Sequence, residues 1–328
     1  MRHRFKSAFA ALASAALLVS PSLASDAKKM LEKSVIEPEK PEGAKVNLLL
    51  NVEFSDKYVT PRGQIVRDKG LTIQPLLLAF LTLHEGDGFL SHFKFVGGVW
   101  ADYGTSGVSE HPPYGSSPKT NYTEIDPIFG VSIGLAKVAT LDVTYTAFVE
   151  QILDIETSHH LEVKLSIDDT SWLKALALHP YVSWWRELDG KSTAARVPYA
   201  VFGVSPNTGK ATPPDEGYYF EVGISPGFTL KSLGDLKFEF PCRVLLPSDD
   251  FYGEFYDDSS TVGLYEVGVK TSIPLKFMPK GYGFWSVHAG YRYMNFVDNN
   301  LAGMNQFNSP GEPTDDVHQV YGGISVFF

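Results

Sequence analysis

A single cysteine, Cys242, stands among 328 residues, so no intrachain disulfide can hold this chain together. A long apolar helix is missing as well. Past the first two dozen residues the most apolar run is PLLLAFLTL, Pro75 to Leu83, about half of the roughly 20 residues that a membrane helix needs. Basic residues are scarce, 28 Lys and Arg against 38 Asp and Glu, and an acidic chain has little attraction for nucleic acid. The 3.6-residue apolar repeat of amphipathic helices is nearly absent. Membrane helices, disulfide scaffolds and nucleic-acid partners are thereby set aside.

What is present begins with MRHRFKSAFAALASAALLVSPSLAS, where Arg2, Arg4 and Lys6 precede an apolar run from Ala8 to Val19 and the small-residue pattern Ser22-Leu23-Ala24. These features predict a secretory signal peptide over residues 1–24. No cysteine follows the run to carry a lipid anchor. Cleavage there removes three of the 28 basic residues and none of the 38 acidic ones, leaving a net charge of about −13. Residues 25–44 are charged and contain proline, as expected of a periplasmic leader without a core. Residues 45–328 have a different texture and form the expected main domain.

In that domain apolar side chains occupy every second position of segments about ten residues long. In DLKFEFPCRVLL, Leu236, Phe238, Phe240, Cys242 and Val244 alternate with Lys237, Glu239, Pro241 and Arg243. In YEVGVKTSIPLK, Tyr265, Val267, Val269, Thr271, Ile273 and Leu275 alternate with Glu266, Gly268, Lys270, Ser272, Pro274 and Lys276. Each reads as a strand with one oily and one wet face. Twelve such strands are expected, near 45–55, 72–83, 89–102, 124–135, 139–150, 159–167, 176–186, 217–230, 235–246, 261–275, 282–296 and 317–328. Long connections rich in Gly, Pro, Asn and Asp (103–123, 187–216, 247–260, 297–316) alternate with short ones (84–88, 136–138, 231–234). This alternation predicts an all-β fold, a transmembrane antiparallel up-and-down barrel with short periplasmic turns and long extracellular loops. A soluble sandwich also alternates, but its strands are usually shorter than these. Trp184, Trp185, Trp285, Tyr218, Tyr291 and Tyr293 gather near strand ends, as an aromatic girdle requires. Pro241 falls inside a strand, where a bulge is expected.

The chain finishes on YGGISVFF. Val320, Gly322, Ile324, Val326 and Phe328 alternate with Gln319, Tyr321, Gly323, Ser325 and Phe327, so the former set can face lipid and the latter the lumen. A terminal Phe after alternating apolar positions resembles the assembly signal of bacterial outer-membrane proteins, which implies that Val320, Ile324, Val326 and Phe328 are read by the barrel-insertion machinery as an open strand edge. Nearer the start, NVEFSDKYVTPRGQ, Asn51 to Gln64, resembles the opening of the TorF family of porin-like proteins through Ser55, Asp56, Tyr58, Arg62 and Gly63, with Lys57 interrupting the first group and Thr60-Pro61 altering the second. The resemblance covers some twenty residues and implies an outer-membrane channel.

No motif for chemistry stands out. GVSIG (130–134) and GISPG (223–227) match the nucleophile pattern Gly-x-Ser-x-Gly, but they lie in alternating strands rather than on a strand-to-helix turn. His159 and His160 are strand neighbours pointing to opposite faces, which disfavours a shared metal or a lipase site. The loop Asp249–Asp258, DDFYGEFYDD, reads as a solvated acidic loop without calcium-loop spacing. The inward charges are more informative. An acidic wall of Glu124, Asp126, Asp142, Glu150 and Glu162 lies opposite a basic wall of Lys237, Arg243, Lys270, Lys276 and Arg292 in a twelve-strand ring. The walls either line an open polar filter or pair with each other and close it. The expected protein is thus a porin-like channel of the bacterial outer membrane for passive diffusion of small hydrophilic solutes, without enzymatic activity or cofactor. Its expected partners are outer-membrane lipid, lipopolysaccharide and the insertion machinery. The alternatives are a closed-lumen structural or recognition barrel acting through its loops and, less favoured, a lipase-type barrel.

Overall fold

The computed structural model describes residues 45–105, 121–151, 157–189, 216–249, 251–252, 260–308 and 315–328. The expected signal peptide and leader lie outside the described residues, as do large parts of the long connections and most of the acidic loop 249–258.

In chain order the strands are β1 (Lys45–Ser55), β2 (Tyr58–Val59), β3 (Ile65–Arg67), β4 (Thr72–Glu85), β5 (Leu90–Gly104), β6 (Tyr122–Leu135), β7 (Ala139–Glu150) and β8 (Ser158–Ile167). They continue with β9 (Tyr181–Asp189), β10 (Tyr218–Ile224), β11 (Gly227–Leu230), β12 (Leu236–Glu239), β13 (Cys242–Pro247), β14 (Leu264–Pro274), β15 (Phe284–Phe296) and β16 (Asp316–Phe327). All but β2 and β3 belong to one antiparallel sheet that closes on itself. β10 with β11 forms one stave and β12 with β13 the next, so the ring has twelve staves. Closure comes from β1 against β16, with Leu49 opposite Phe327 and Ser55 opposite Tyr321. Phe328 extends that ladder, donating its N–H to Leu48 O at 2.9 Å and accepting from Leu48 N at 3.2 Å. Strands spaced about 4.7 Å apart and tilted about 40° put the backbone of a twelve-stave ring on a radius of about 12 Å.

The alternation sorts side chains to the two faces as a barrel requires. Along β9, Ser183, Trp185 and Glu187 are buried inside, whereas Val182, Arg186 and Leu188 are exposed. The outer face carries a belt of exposed apolar groups that includes Leu50, Leu77, Phe95, Phe129, Leu165, Val182, Val222, Phe228 and Val320, drawn from eight of the twelve staves. A belt of this extent is incompatible with water and suited to lipid. No described helix is long and apolar enough to cross a membrane, so any crossing is made by the strands. On β16 the outward set is exposed or half-buried except for Val326, which is covered where Leu50 and Trp285 stand opposite it on the two neighbouring strands.

Turn chemistry explains the short end of the barrel. Ala136 and Lys137 both take positive φ, 50° and 60°, in the tight turn that Val138 N–H closes on Leu135 O at 3.1 Å. Three sequence expectations change. Pro241 produces no bulge: Glu239 pairs with Lys270 and Cys242 with Val267, three residues on along each strand, so the ladder opens without slipping. The interruption is shared with Ser225-Pro226 on the adjacent stave, and Phe240 N–H reaches Pro226 O at 2.8 Å. Next, the strand expected from 176 starts at Tyr181, because Thr170–Leu173 and Lys174–Leu176 turn helically first. Finally, Trp185 is no girdle residue; it points inward and is buried.

The belt yields a direct test. Phe129→Arg, in mid-strand on β6, is expected to destabilise the barrel by about 2–4 kcal/mol, whereas Phe89→Arg, beside a short turn, costs about 0–1 kcal/mol. Urea titration of the two variants in lipid vesicles checks this, and equal losses would contradict a lipid-facing belt.

Candidate functional site

The site that this fold creates is its lumen, which contains two regions of different character. At the long-loop end the connection between β1 and β4 does not project outward. It folds into the barrel as the β2–β3 hairpin, with Tyr58, Val59, Thr60, Arg62, Gln64, Ile65 and Arg67 all buried. Its tip, Thr60-Pro61-Arg62-Gly63, is a tight turn with Pro and Gly at favoured positions, closed by Gly63 N–H on Thr60 O at 2.9 Å. Gly63 sits at φ +90°, and a Cβ there would lie 2.6 Å from Leu264 Cδ2, so only glycine fits.

The hairpin is held from several sides. Tyr58 Oη donates to Glu124 Oε2 at 2.7 Å. Arg67 pairs with Asp102 at 3.3 Å and also donates to Thr123 Oγ1, while Gln74 Nε2 donates to Asp102 Oδ1 at 3.1 Å. The Arg62 guanidinium lies 4.6 Å from the Phe148 ring centre and 4.9 Å from that of Trp185, a cation–π contact with two neighbouring rings in a desolvated place. The helix Asn299–Asn308 seals the hairpin from the other side: Asn305 Oδ1 accepts from Ile65 N at 2.9 Å and its Nδ2 donates to Gly63 O at 2.9 Å. Asp298 caps that helix, accepting from Asn300 N at 2.8 Å and Leu301 N at 3.2 Å, while its other oxygen accepts from Ser260 N at 2.7 Å. Burial pushes the Asp298 carboxyl above its ordinary range, against these three N–H donors, which favour the ionised form. An apolar cluster that includes Ile65, Trp185, Phe251, Tyr252, Leu301 and Met304 fills the remaining space, and Tyr252 Oη donates to Arg62 O at 2.8 Å.

The second region is charged. Arg243, on β13, points into the lumen between Glu221 of β10 and Glu266 of β14. Its Nη1 donates to Glu221 Oε2 at 2.6 Å, and Nε and Nη2 donate to Glu266 Oε2 at 2.9 and 2.6 Å. Tyr181 Oη donates to the other Glu221 oxygen at 2.6 Å, and Lys164 Nζ lies 4.0 Å from the Tyr181 ring centre. Arg292 pairs with Glu53 at 3.0 Å and stacks on Tyr321. Ser183 Oγ donates to Glu162 Oε1 at 2.7 Å, and Lys237 pairs with Glu239.

The positions named from the sequence distribute as follows. Glu124, Asp126, Asp142, Arg243, Lys270 and Arg292 are buried within the ring. Asp142 stands opposite Lys164 on the neighbouring strand, and Glu150 opposite Glu124 at the long-loop end. Lys276 lies beyond the end of β14, exposed and paired with Asp235 at 2.7 Å, away from the lumen. The strongest contacts run between staves one or two apart or from wall to hairpin rather than across the lumen from one wall to the other. Arg62, Arg67 and Asp102 join the site only through the fold. The available signal was the turn Thr60-Pro61-Arg62-Gly63 flanked by Tyr58-Val59 and Ile65-Val66, a small hairpin written inside a connection. Ser132 of GVSIG faces the lumen on a regular strand with His92 Nε2 at 3.4 Å from its Oγ, and Ser225 of GISPG lies in the break between β10 and β11; neither is on a strand-to-helix turn. His159 bonds Tyr145 and is half-buried, whereas His160 is buried and stacks on Trp185 at 4.1 Å, so the two do not converge.

A closed antiparallel ring with an apolar exterior and a polar, partly plugged interior defines a transmembrane β-barrel of the outer-membrane type. No protein-family model matches the chain, and no curated protein matches its sequence. Among solved structures it is similar to an outer membrane channel from Pseudomonas putida F1 (TM-score 0.42, 9% identity, covering 90% of this chain and 100% of that one). The transport unit of the autotransporter AIDA-I from Escherichia coli is also similar (0.39, 11%, 95% and 100%), as is Pseudomonas putida OprB (0.38, 10%, 96% and 99%). At these values the likenesses carry no argument about what this barrel does.

The charged region makes a stability prediction. Arg243→Met leaves two buried carboxylates facing each other without their cation and should cost about 3–5 kcal/mol. Adding Glu221→Gln and Glu266→Gln should recover most of it. Urea unfolding followed by tryptophan fluorescence measures both, and a neutral Arg243→Met would mean that water, not the pairing, sustains these charges.

Proposed function

We propose that the protein spans a bacterial outer membrane and works as a porin-like channel for passive diffusion of small hydrophilic solutes, with no chemical step. The observation that carries this reading is the contrast between the two faces of one sheet: apolar outside, and inside a set of guanidinium, ammonium and carboxylate groups on most of the staves. A barrel built only as a membrane anchor has no need of so many ionisable groups, each costly to bury. Lys237, Arg243, Lys270 and Arg292 on one side, and Glu124, Asp126, Asp142, Glu150 and Glu162 on the other, are the groups a passing solute would meet. Because Arg243 and Arg292 are offset by their neighbours Glu221, Glu266 and Glu53, the lumen favours polar solutes without strong selection by charge sign. In this reading lipid and lipopolysaccharide contact the belt, and the insertion machinery recognises the edge of β16 that ends in Phe328.

A second reading draws on the β2–β3 hairpin, whose packing with the helix and the aromatic cluster supports a closed barrel acting through its long loops. Planar-bilayer recording separates the two. The channel reading expects a small steady conductance from the parent chain, enlarged severalfold when residues 58–67 are replaced by a Gly-Ser linker. A silent parent with a conducting linker variant favours the closed barrel. Silence from both defeats the channel.

A further inference from the structure

The connection from β8 to β9, residues 168–180, is the longest at the short-turn end of the barrel, and its two ends meet at three potential metal ligands. Asp168 and Asp169 leave β8 together, and His179 returns just before β9. The carboxylates are held by the backbone: Asp168 Oδ1 accepts from Thr170 N at 3.1 Å, while Asp169 accepts from Leu178 N at 2.9 Å and His179 N at 3.0 Å. Backbone N–H contacts of this kind are how outer partners aim first ligands.

His179 takes a positive φ of 51° and brings Nδ1 to 3.7 Å from Asp168 Oδ1 and 3.6 Å from Asp169 Oδ1. Both distances are too long for hydrogen bonds. They are close to the separation of two ligand atoms on one tetrahedral ion, about 3.3–3.6 Å for bonds of about 2.0–2.2 Å. All three donor atoms lie within 4.8 Å of one another. The arrangement is graded in exposure, the Asp169 side chain at 6%, His179 at 23% and Asp168 at 47%, so one flank is protein and the other admits water.

We propose that Asp168, Asp169 and His179 bind one divalent cation of the zinc type, with a fourth position left to water. One imidazole nitrogen with two carboxylate oxygens suits such an ion, whereas calcium takes six or more oxygens and magnesium keeps most of its own water. The ion offsets two adjacent negative charges and ties the end of β8 to the start of β9. It thereby closes the excursion that presents Trp172 and Leu176, both strongly exposed, at the edge of the apolar belt. The site is independent of whether the lumen conducts.

The test uses the full chain, refolded in detergent micelles and stripped with a chelator, titrated calorimetrically with Zn²⁺. One ion per chain is expected, undisturbed by excess Mg²⁺, with affinity at least tenfold weaker in His179→Gln and in Asp168→Asn. Asp168 is half exposed, so the second variant keeps the test open if the first does not fold, and heat-modifiable migration on gels reports folding for both. Absence of binding by the parent, or equal affinity in the parent and the folded variants, overturns the proposal.

Discussion

The hydrogen-bond ladder between β1 and β16 is the constraint on which the rest of this structure depends. In hydrocarbon an unpaired strand edge leaves N–H and C=O groups without partners at several kcal/mol each, so a sheet either closes or stays out. Here the first strand meets β4 on one side and the last strand on the other, and Phe328 continues the pairing to the final residue. Once the ring is closed every strand has an inside and an outside, and the two-residue alternation acquires its meaning. Shifting β16 by one residue would turn Tyr321 and Gln319 toward lipid and Val320 toward the lumen, so the polar pattern and the closure enforce each other.

A ring of this radius leaves an interior that must be filled by water, side chains or chain. Both side chains and a segment of chain enter it here. The β2–β3 hairpin enters from the long-loop end and meets aromatic and aliphatic groups contributed by β7, β9, β10, β13 to β16 and the Asn299–Asn308 helix. Deeper in, charges replace carbon: Arg243 finds Glu221 and Glu266 on the staves either side of it, and Arg292 reaches past β16 to Glu53 on β1. This lateral pairing follows from strand spacing: adjacent inward positions stand about 5 Å apart, well within reach of Arg and Glu, whereas the opposite wall is some 20 Å away across the backbone ring.

Much of this was legible in the chain. The number of staves, their order and the inward direction of Glu124, Asp126, Arg243, Lys270 and Arg292 follow from the period of two. What the pattern could not reveal was pairing. Arg243 reads as a member of a basic wall until β10 and β14 are seen to place Glu221 and Glu266 beside it. Trp185 reads as a girdle residue because strand ends attract tryptophan on both faces, and only the register that sets it against Tyr219 places it inside. Pro241 reads as a bulge, since a lone proline in a closed sheet demands one. The structure instead sets it near Pro226 of the adjacent stave, so that one interruption serves both strands.

By itself the sequence determined an antiparallel ring of twelve staves, oily outside and wet inside, because a strand's side chains alternate whatever its neighbours are. The contents of the ring were decided by tertiary structure. The direction taken by the β1–β4 connection depends on whether Arg62, Gly63 and Arg67 find Trp185, Leu264 and Asp102 waiting, and those residues are separated from it by tens to hundreds of positions. The convergence of Asp168 and Asp169 with His179 likewise exists only after the chain has turned back on itself, since the pattern alone would have continued Leu176 to Tyr181 as strand. Periodicity carries information one residue at a time along the chain. The plug, the ion pairs and the turn cluster are contacts between distant positions, and only the closed barrel brings those positions together.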